Sequence, residues 1–209
     1  MRSFVFVNLR CSFFEWMKKI FVILKIAFLS LFSFLFILYI ALCIYVKSRE
    51  IKIDSEKLLE ESRVLLSDEQ LKIAGFIYNN DKNPEFEKYP LVKDILSQRN
   101  NIPKNIAAML VDDHHSTMNE FRMKVLATSR SLIRNVDYEI LYNYYFSKLY
   151  FGNGIYGLKE AALKYYEKNY TELNPREFMC ICVITENPAF YDFHEHKKRL
   201  DGRVDEIYN

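Results

Sequence analysis

From Ile26 to Val46 the chain runs for 21 residues without a charged side chain, and Phe, Leu and Ile dominate the run. About 20 such residues in a helix cross the roughly 30 Å of hydrocarbon in a bilayer, so this stretch predicts one transmembrane helix. A cleaved signal would have about 7–15 apolar residues and a small-x-small cleavage pattern. This run is longer and ends in Tyr45-Val46-Lys47-Ser48-Arg49, which favours an anchor that stays in place. Leu42 is too bulky a neighbour for Cys43 to serve as a lipoprotein cysteine. Arg2, Arg10, Lys18, Lys19 and Lys25 precede the run with only Glu15 against them, whereas Lys47, Arg49 and Lys52 follow it. The bias predicts an amino terminus inside and residues from about 47 onward outside the cytoplasmic membrane.

Behind the anchor, the remainder of a 209-residue chain that is half apolar has room for one domain with its own core. A net charge of +2 against 27 acidic groups lacks the footprint of a nucleic-acid binder. Five glycines and five prolines are few for this length, which predicts long helices and an all-α fold. Cys180 and Cys182 point to different faces of a helix, so they form neither a disulfide nor a common zinc spacing and read as small buried side chains. The four histidines, in His114-His115 and His194-Glu195-His196, have no spacing that builds a metal site. Ser129 and Ser131 lack a nucleophile elbow. Tyr142, Tyr144, Tyr145 and Phe146 read as packing, and the run from His196 to Arg203 as a solvated helix face.

The chain therefore divides into a cytoplasmic segment at 1–25, a transmembrane helix at 26–46, a helical stalk or linker at 47–100 and a domain at 101–209. Ile53, Leu58, Leu59, Val64 and Leu65 form an imperfect helical stripe. Ser67-Asp68-Glu69-Gln70 has the spacing of a capping box ahead of Leu71, Ile73, Ala74, Phe76 and Ile77, which predicts a short helix. Asn79 to Pro90 reads as a loop and Leu91 to Leu96 as a short element. Gly152, Gly154 and Gly157 put three of the five glycines into six residues, which predicts a tight loop between helices.

That loop also carries a resemblance. Leu149-Tyr150-Phe151-Gly152-Asn153-Gly154-Ile155-Tyr156-Gly157-Leu158-Lys159-Glu160-Ala161-Ala162 is similar to the Y-F-G-x-G-x-Y-G-x-x-x-A-A signature of the family-51 glycosyltransferases, which polymerise peptidoglycan glycan strands. Other stretches follow in the family's order. Asn101 to Asp113 resembles its proline, apolar helix and Glu-Asp entry, and Leu173-Asn174-Pro175-Arg176-Glu177 its L-t-x-x-E helix start. Asn187-Pro188-Ala189-Phe190-Tyr191 resembles its P-x-x-Y turn, and Arg203-Val204 its last R-R-x-x-V-L motif.

The resemblance implies a lysozyme-like domain with a shortened cleft. It also implies an inverting glycosyl transfer, in which a carboxylate takes the proton of an acceptor hydroxyl while cations help the pyrophosphate-lipid leave. The base would be Asp112, one methylene shorter than the family's Glu, with Asp113 and Arg203 contacting substrate. The Phe and His that follow in the family are here Ser116 and Asn119, and the donor-side G-x-S-T-x-x-Q-Q and R-K-x-x-E blocks have no counterpart. In the K-x-x-I-L-E-x-Y-L-N motif, Ile140, Leu141 and Tyr144 remain, but Asp137 replaces the Lys, Tyr142 the second carboxylate and Tyr145-Phe146 the Leu-Asn pair. Tyr142 is no anion near neutral pH.

The expectation is a single-pass protein of a bacterial cytoplasmic membrane. Its glycosyltransferase-like domain would face lipid-linked peptidoglycan precursor or cell-wall synthesis proteins, with weak or lost catalysis. The alternative is a non-catalytic partner or regulator of wall synthesis. No cofactor is implied beyond a divalent metal accompanying the pyrophosphate substrate.

Overall fold

The computed structural model describes residues 2–79, 102–111 and 116–208. Among these, every regular element is helical, with one isolated β-bridge between Tyr150 and Tyr156, so the fold is all-α as the composition predicts. The loop expected to end at Pro90 and the element expected through Leu96 lie outside the described residues.

Residues 1–48 and 49–209 form two compact units. The first is a single helix, α1 (Arg2–Ser48). Its stretch Lys19–Ser48 is long and apolar enough to cross a membrane. The Phe, Leu and Ile side chains from Phe21 to Leu38 stand exposed, an apolar surface far larger than a water-facing helix carries. The Ser30 hydroxyl within this stretch donates to Ala27 O at 2.9 Å, so the helix satisfies its own polar group.

The second unit contains α2 (Ser55–Glu61), α3 (Asp68–Asn79), α4 (Ile102–Leu110), α5 (Met118–Asn135), α6 (Tyr138–Lys148), α7 (Leu158–Tyr166), a 3-10 turn (Tyr170–Glu172), α8 (Pro175–Ile184) and α9 (Lys197–Tyr208). Helices start where a side chain can answer the free N–H groups of the first turn. At α3, Gln70 N donates to Ser67 Oγ at 3.3 Å and Ser67 N donates to Gln70 Oε1 at 3.1 Å, the reciprocal box expected from the spacing. Asn174 and Glu177 repeat it at α8, where Pro175 opens the helix and its missing N–H is not needed. Thr117 and Glu120 do so at α5.

Helix α8 is the centre of the core. Every residue from Phe178 to Ile184 is buried, Cys180 and Cys182 included, as in a helix that is apolar all round. Around it pack α3, α7 and α9, while α6 joins α2, α4 and α7. From α6, Leu141 to Phe146 are all buried, and the Phe146 ring meets that of Phe178 at 5.6 Å. Each large apolar side chain so buried contributes about 1.5–3 kcal/mol.

Residues 51–66 belong to this packed unit. Leu58 and Val64 enter the same core as α8. Leu66 N donates to Asn143 Oδ1 at 2.9 Å, Leu65 N to Tyr170 OH at 3.3 Å, and Gln70 Nε2 to Tyr170 O at 2.9 Å. Without such partners each buried polar group would cost about 1–3 kcal/mol, so Asn143 and Tyr170 fix the path of a segment that has little helix of its own.

Candidate functional site

Of the three side chains expected to act on substrate, Asp112 and Asp113 lie outside the described residues, as do His114 and His115. The chain enters that stretch from α4, whose Ile106 and Ala107 are buried, and emerges at Ser116 just before the Thr117 cap.

Arg203 is placed on α9. Its Nε lies 3.3 Å from Glu186 Oε2, its Nη2 3.4 Å from Glu186 Oε1, and its Nη1 3.3 Å from Glu206 Oε2. Glu186 follows directly on the end of α8, so the fork ties α9 to the core helix. The Glu186 carboxylate raises the guanidinium's proton affinity further, and the cation is already answered by two acids.

The position that the resemblance gives to a second carboxylate, Tyr142, is inside the core. Tyr142 is 0% exposed, and Tyr144, Tyr145 and Phe146 beside it are buried too. The Tyr145 hydroxyl accepts from Asn105 Nδ2 at 3.1 Å, joining α6 to α4, and burial raises its phenol above the usual value. Burial does the same for Tyr144, with Glu61 adding to it. Lys148 sits 5.6 Å over the Tyr144 ring and 3.3 Å from Glu61, which fastens α2 onto α6. This helix face presents phenols, not anions.

A cleft of about 610 Å³ opens elsewhere, between the glycine turn and the turn after α8. One wall holds Tyr150, Gly152 and Asn153, and the other Asn187, Pro188, Ala189, Asp192, His194 and Glu195. On the first wall, Phe151 N donates to Ile155 O, Ile155 N to Gly152 O and Gly157 N to Leu149 O, all at 2.8–2.9 Å. Gly152 has φ +93°, and a Cβ there would stand 3.2 Å from Pro188 Cβ, so the residue lets the two walls meet. Gly157 has φ +82°, and a Cβ there would come within 2.9 Å of Ser147 O.

Asp192 joins the walls. Its Oδ1 accepts from His194 N and Glu195 N, both at 2.8 Å, and its Oδ2 from Asn153 Nδ2 at 2.7 Å. These donors, the Glu195 N–H foremost, hold its carboxyl below the usual range. Tyr165, under the turn, donates to Phe151 O at 2.7 Å, and burial with Asp192 and Tyr150 nearby pushes its phenol up to about 12. Among the described residues no lysine or arginine lines the cleft. Two neighbouring cations are turned to other rings: Lys197 lies 4.7 Å over Phe193 and Arg199 4.9 Å over Phe190.

Sequence reasoning did not single out this cleft. The signals that could have found it are Asn153 between two glycines and Asp192 two residues ahead of His194-Glu195, a pattern that caps a turn. Among the described residues no group of three or more His, Cys, Asp or Glu side chains could hold a metal.

The family model for the transglycosylase domain matches residues 102–209, more than half of the chain. Penicillin-binding protein 4 of Bacillus subtilis (strain 168) is similar too, at 29% identity over 119 residues, which are 49% of this chain and 19% of that protein. The chain thus matches only about a fifth of the length of that curated relative.

Proposed function

The chain belongs to the transglycosylase family through residues 102–209, and on that premise we propose that it is a membrane-anchored peptidoglycan glycosyltransferase-like protein with weak or lost turnover. Residues from about 47 onward lie outside a bacterial cytoplasmic membrane in this reading, where they meet lipid-linked disaccharide-peptide. The observation that carries the loss of turnover is Tyr142. The family's second carboxylate would stand there, and the residue is a phenol with no exposed surface on a helix built into the core.

The transfer needs a base at the acceptor hydroxyl and positive charge at the departing pyrophosphate. Asp112 is the carboxylate left for the first task, and its shorter arm displaces the oxygen by about 1 Å, enough to cost roughly a hundredfold. For the second task the donor-side basic motifs are missing from the sequence, and Arg203 is shared between Glu186 and Glu206. Stabilisation of the leaving group, usually the largest contribution to such a reaction, therefore has little to draw on.

The test is glycan-chain formation from labelled lipid-linked precursor by the purified full-length protein, beside Asp112→Ala. Expected is little or no polymer with retained precursor binding. Polymer at a rate ordinary for a glycan synthase, abolished in Asp112→Ala, would sink the loss of turnover. Absence of both polymer and precursor binding would favour a partner or regulator that binds wall-synthesis proteins instead.

A further inference from the structure

We propose that the cations of α5, together with Arg49 and Lys52, bind the anionic head groups of phospholipids in the membrane that holds the anchor. The proposal needs α1 to cross a membrane and needs no reaction, so it stands apart from the function proposed above.

Chain order supplies the lipid. Glu50 and Ile51 follow closely on Ser48, the last residue of α1, so a bilayer crossed by α1 has its surface within a few residues of them. Both residues grip the middle of α5. Ser131 Oγ donates to Glu50 Oε1 at 2.5 Å and accepts from Asn135 Nδ2 at 3.0 Å, while Ile51 N donates to Thr128 Oγ1 at 3.5 Å. Thr128 and Ser131 are buried, so these bonds replace the water that their hydroxyls have given up. The first residues of the outer unit are thereby fastened to α5.

Charge then selects the lipid. From Phe121 to Asn135, α5 carries Arg122, Lys124, Arg130 and Arg134 and no acid. Arg122 and Arg134 are exposed, and so is Lys52 beside Ile51. The acids nearest in the chain before them are engaged: Glu50 by Ser131, Asp54 by the N–H groups of Glu56 and Lys57, and Glu120 by Thr117. The Thr117 N–H and hydroxyl hold the Glu120 carboxyl below its usual range, and Arg49 and Lys124 lower it further, which puts both cations near the start of α5. Asp137 and Glu139 follow only after α5 has ended. On α9, by contrast, Lys197 and Arg203 are answered by Asp201, Glu186 and Glu206. Clusters of about 4–8 Lys and Arg beside a membrane helix attract anionic head groups, and a zwitterionic surface offers them no such field.

The experiment titrates phosphatidylglycerol and phosphatidylcholine into the full-length protein in detergent and counts bound lipid by native mass spectrometry. Arg130→Gln/Arg134→Gln, which changes two residues one helical turn apart, and Lys52→Gln are measured alongside, with unfolding midpoints as the control for folding. Expected is a preference for phosphatidylglycerol that falls about fivefold or more in the double variant, the scale of one near-surface cation, falls less in Lys52→Gln, and weakens with salt. Lys52 is exposed, so Lys52→Gln carries the test if the double variant unfolds. An unchanged preference in the folded variants would overturn the proposal. Loss of bound phosphatidylglycerol to inorganic pyrophosphate at matched ionic strength would overturn it too, and would make this face a site for soluble phosphate. Lipid-linked precursor binding that falls in parallel with phosphatidylglycerol would overturn it in favour of a precursor site. Precursor binding held at the wild-type level while the phosphatidylglycerol preference falls supports it and leaves the proposed function standing.

Discussion

Helix α6 and the glycine turn follow each other in the chain, yet their residues are held for different reasons. In the turn, Gly152 and Gly157 sit at φ +93° and +82°, one against Pro188 and the other against Ser147 O, so the backbone itself requires the residues that match the family signature. On α6, Tyr142, Tyr145 and Phe146 stand where the resemblance would put the second carboxylate and the Leu-Asn pair, and what fixes them is the core: all three are buried. On the proposed loss of turnover, a signature held by backbone geometry outlasts the chemistry, because its loss would unfold the turn.

The comparison breaks most visibly at Tyr142. Restoring a carboxylate with Tyr142→Glu puts a charge where no surface is exposed, and an uncompensated buried charge costs about 3–5 kcal/mol, or the group takes up a proton to avoid it. The expected result is a large fall in the thermal unfolding midpoint and no gain in polymer. A stable variant with increased polymerisation would mean that α6 still faces a working cleft.

Next in size is Gly157→Ala. A positive φ on a residue with a Cβ costs about 1–3 kcal/mol, and the contact at 2.9 Å with Ser147 O is with backbone, which cannot swing aside. For a domain of this size that is roughly 2–12 °C in the unfolding midpoint by calorimetry. Gly154→Ala makes the contrast, since its added Cβ meets nothing within 4 Å and only the φ of +76° is strained. Equal losses in the two variants would remove close approach as the reason for Gly157.

The same contrast decides how much could be read in advance. The box at Ser67–Gln70 was legible because a cap is chemistry between residues three apart, whereas the start of α8 at Asn174 was expected from the resemblance. The glycine loop was legible because glycines cluster where φ turns positive. The place of residues 51–66 was not: their partners Thr128, Asn143 and Tyr170 stand 77 to 105 residues along the chain, and nothing local marks Asn143 as the acceptor for Leu66 N. The cleft was hidden for the same reason, since Asn153 and Asp192 are 39 residues apart and only folding pairs them. Asp112 and Asp113, which the motif order singled out, lie outside the described residues.

A smaller effect separates the regions by pH. Asp192, held low chiefly by the Glu195 N–H, and Glu177, where the Lys168 ammonium at 2.6 Å and the Asn174 N–H outweigh the cost of burial, both titrate below their ordinary values. The unfolded chain then binds more protons than the folded one, so stability from these groups is complete above about pH 4–5 and drains as pH falls through the folded values. The phenols of α6 stay neutral throughout that window. Acid should therefore loosen the walls of the cleft, and the difference in unfolding midpoint between wild type and Asp192→Asn should shrink as the pH is lowered past about 4. A difference that stays constant with pH would show that the Asp192 charge adds nothing to the frame.

Arg203 gives the smallest effect on stability and tests the side of the comparison that concerns substrate. Its side chain is 38% exposed, and exposed ion pairs contribute about 0–1 kcal/mol, so Arg203→Ala should move the unfolding midpoint by no more than a few degrees. Glu186→Gln should do about the same, because each variant opens the same link between α9 and the end of α8. The two diverge on ligand. If the fork is only a tie, precursor binding is equal in wild type and both variants. If Arg203 is a substrate residue restrained by Glu186, freeing it in Glu186→Gln tightens precursor binding while Arg203→Ala weakens it. Opposite shifts in the two titrations would return Arg203 to the chemistry of the site, and parallel or absent shifts would assign it to the frame that the glycine turn and α8 already define.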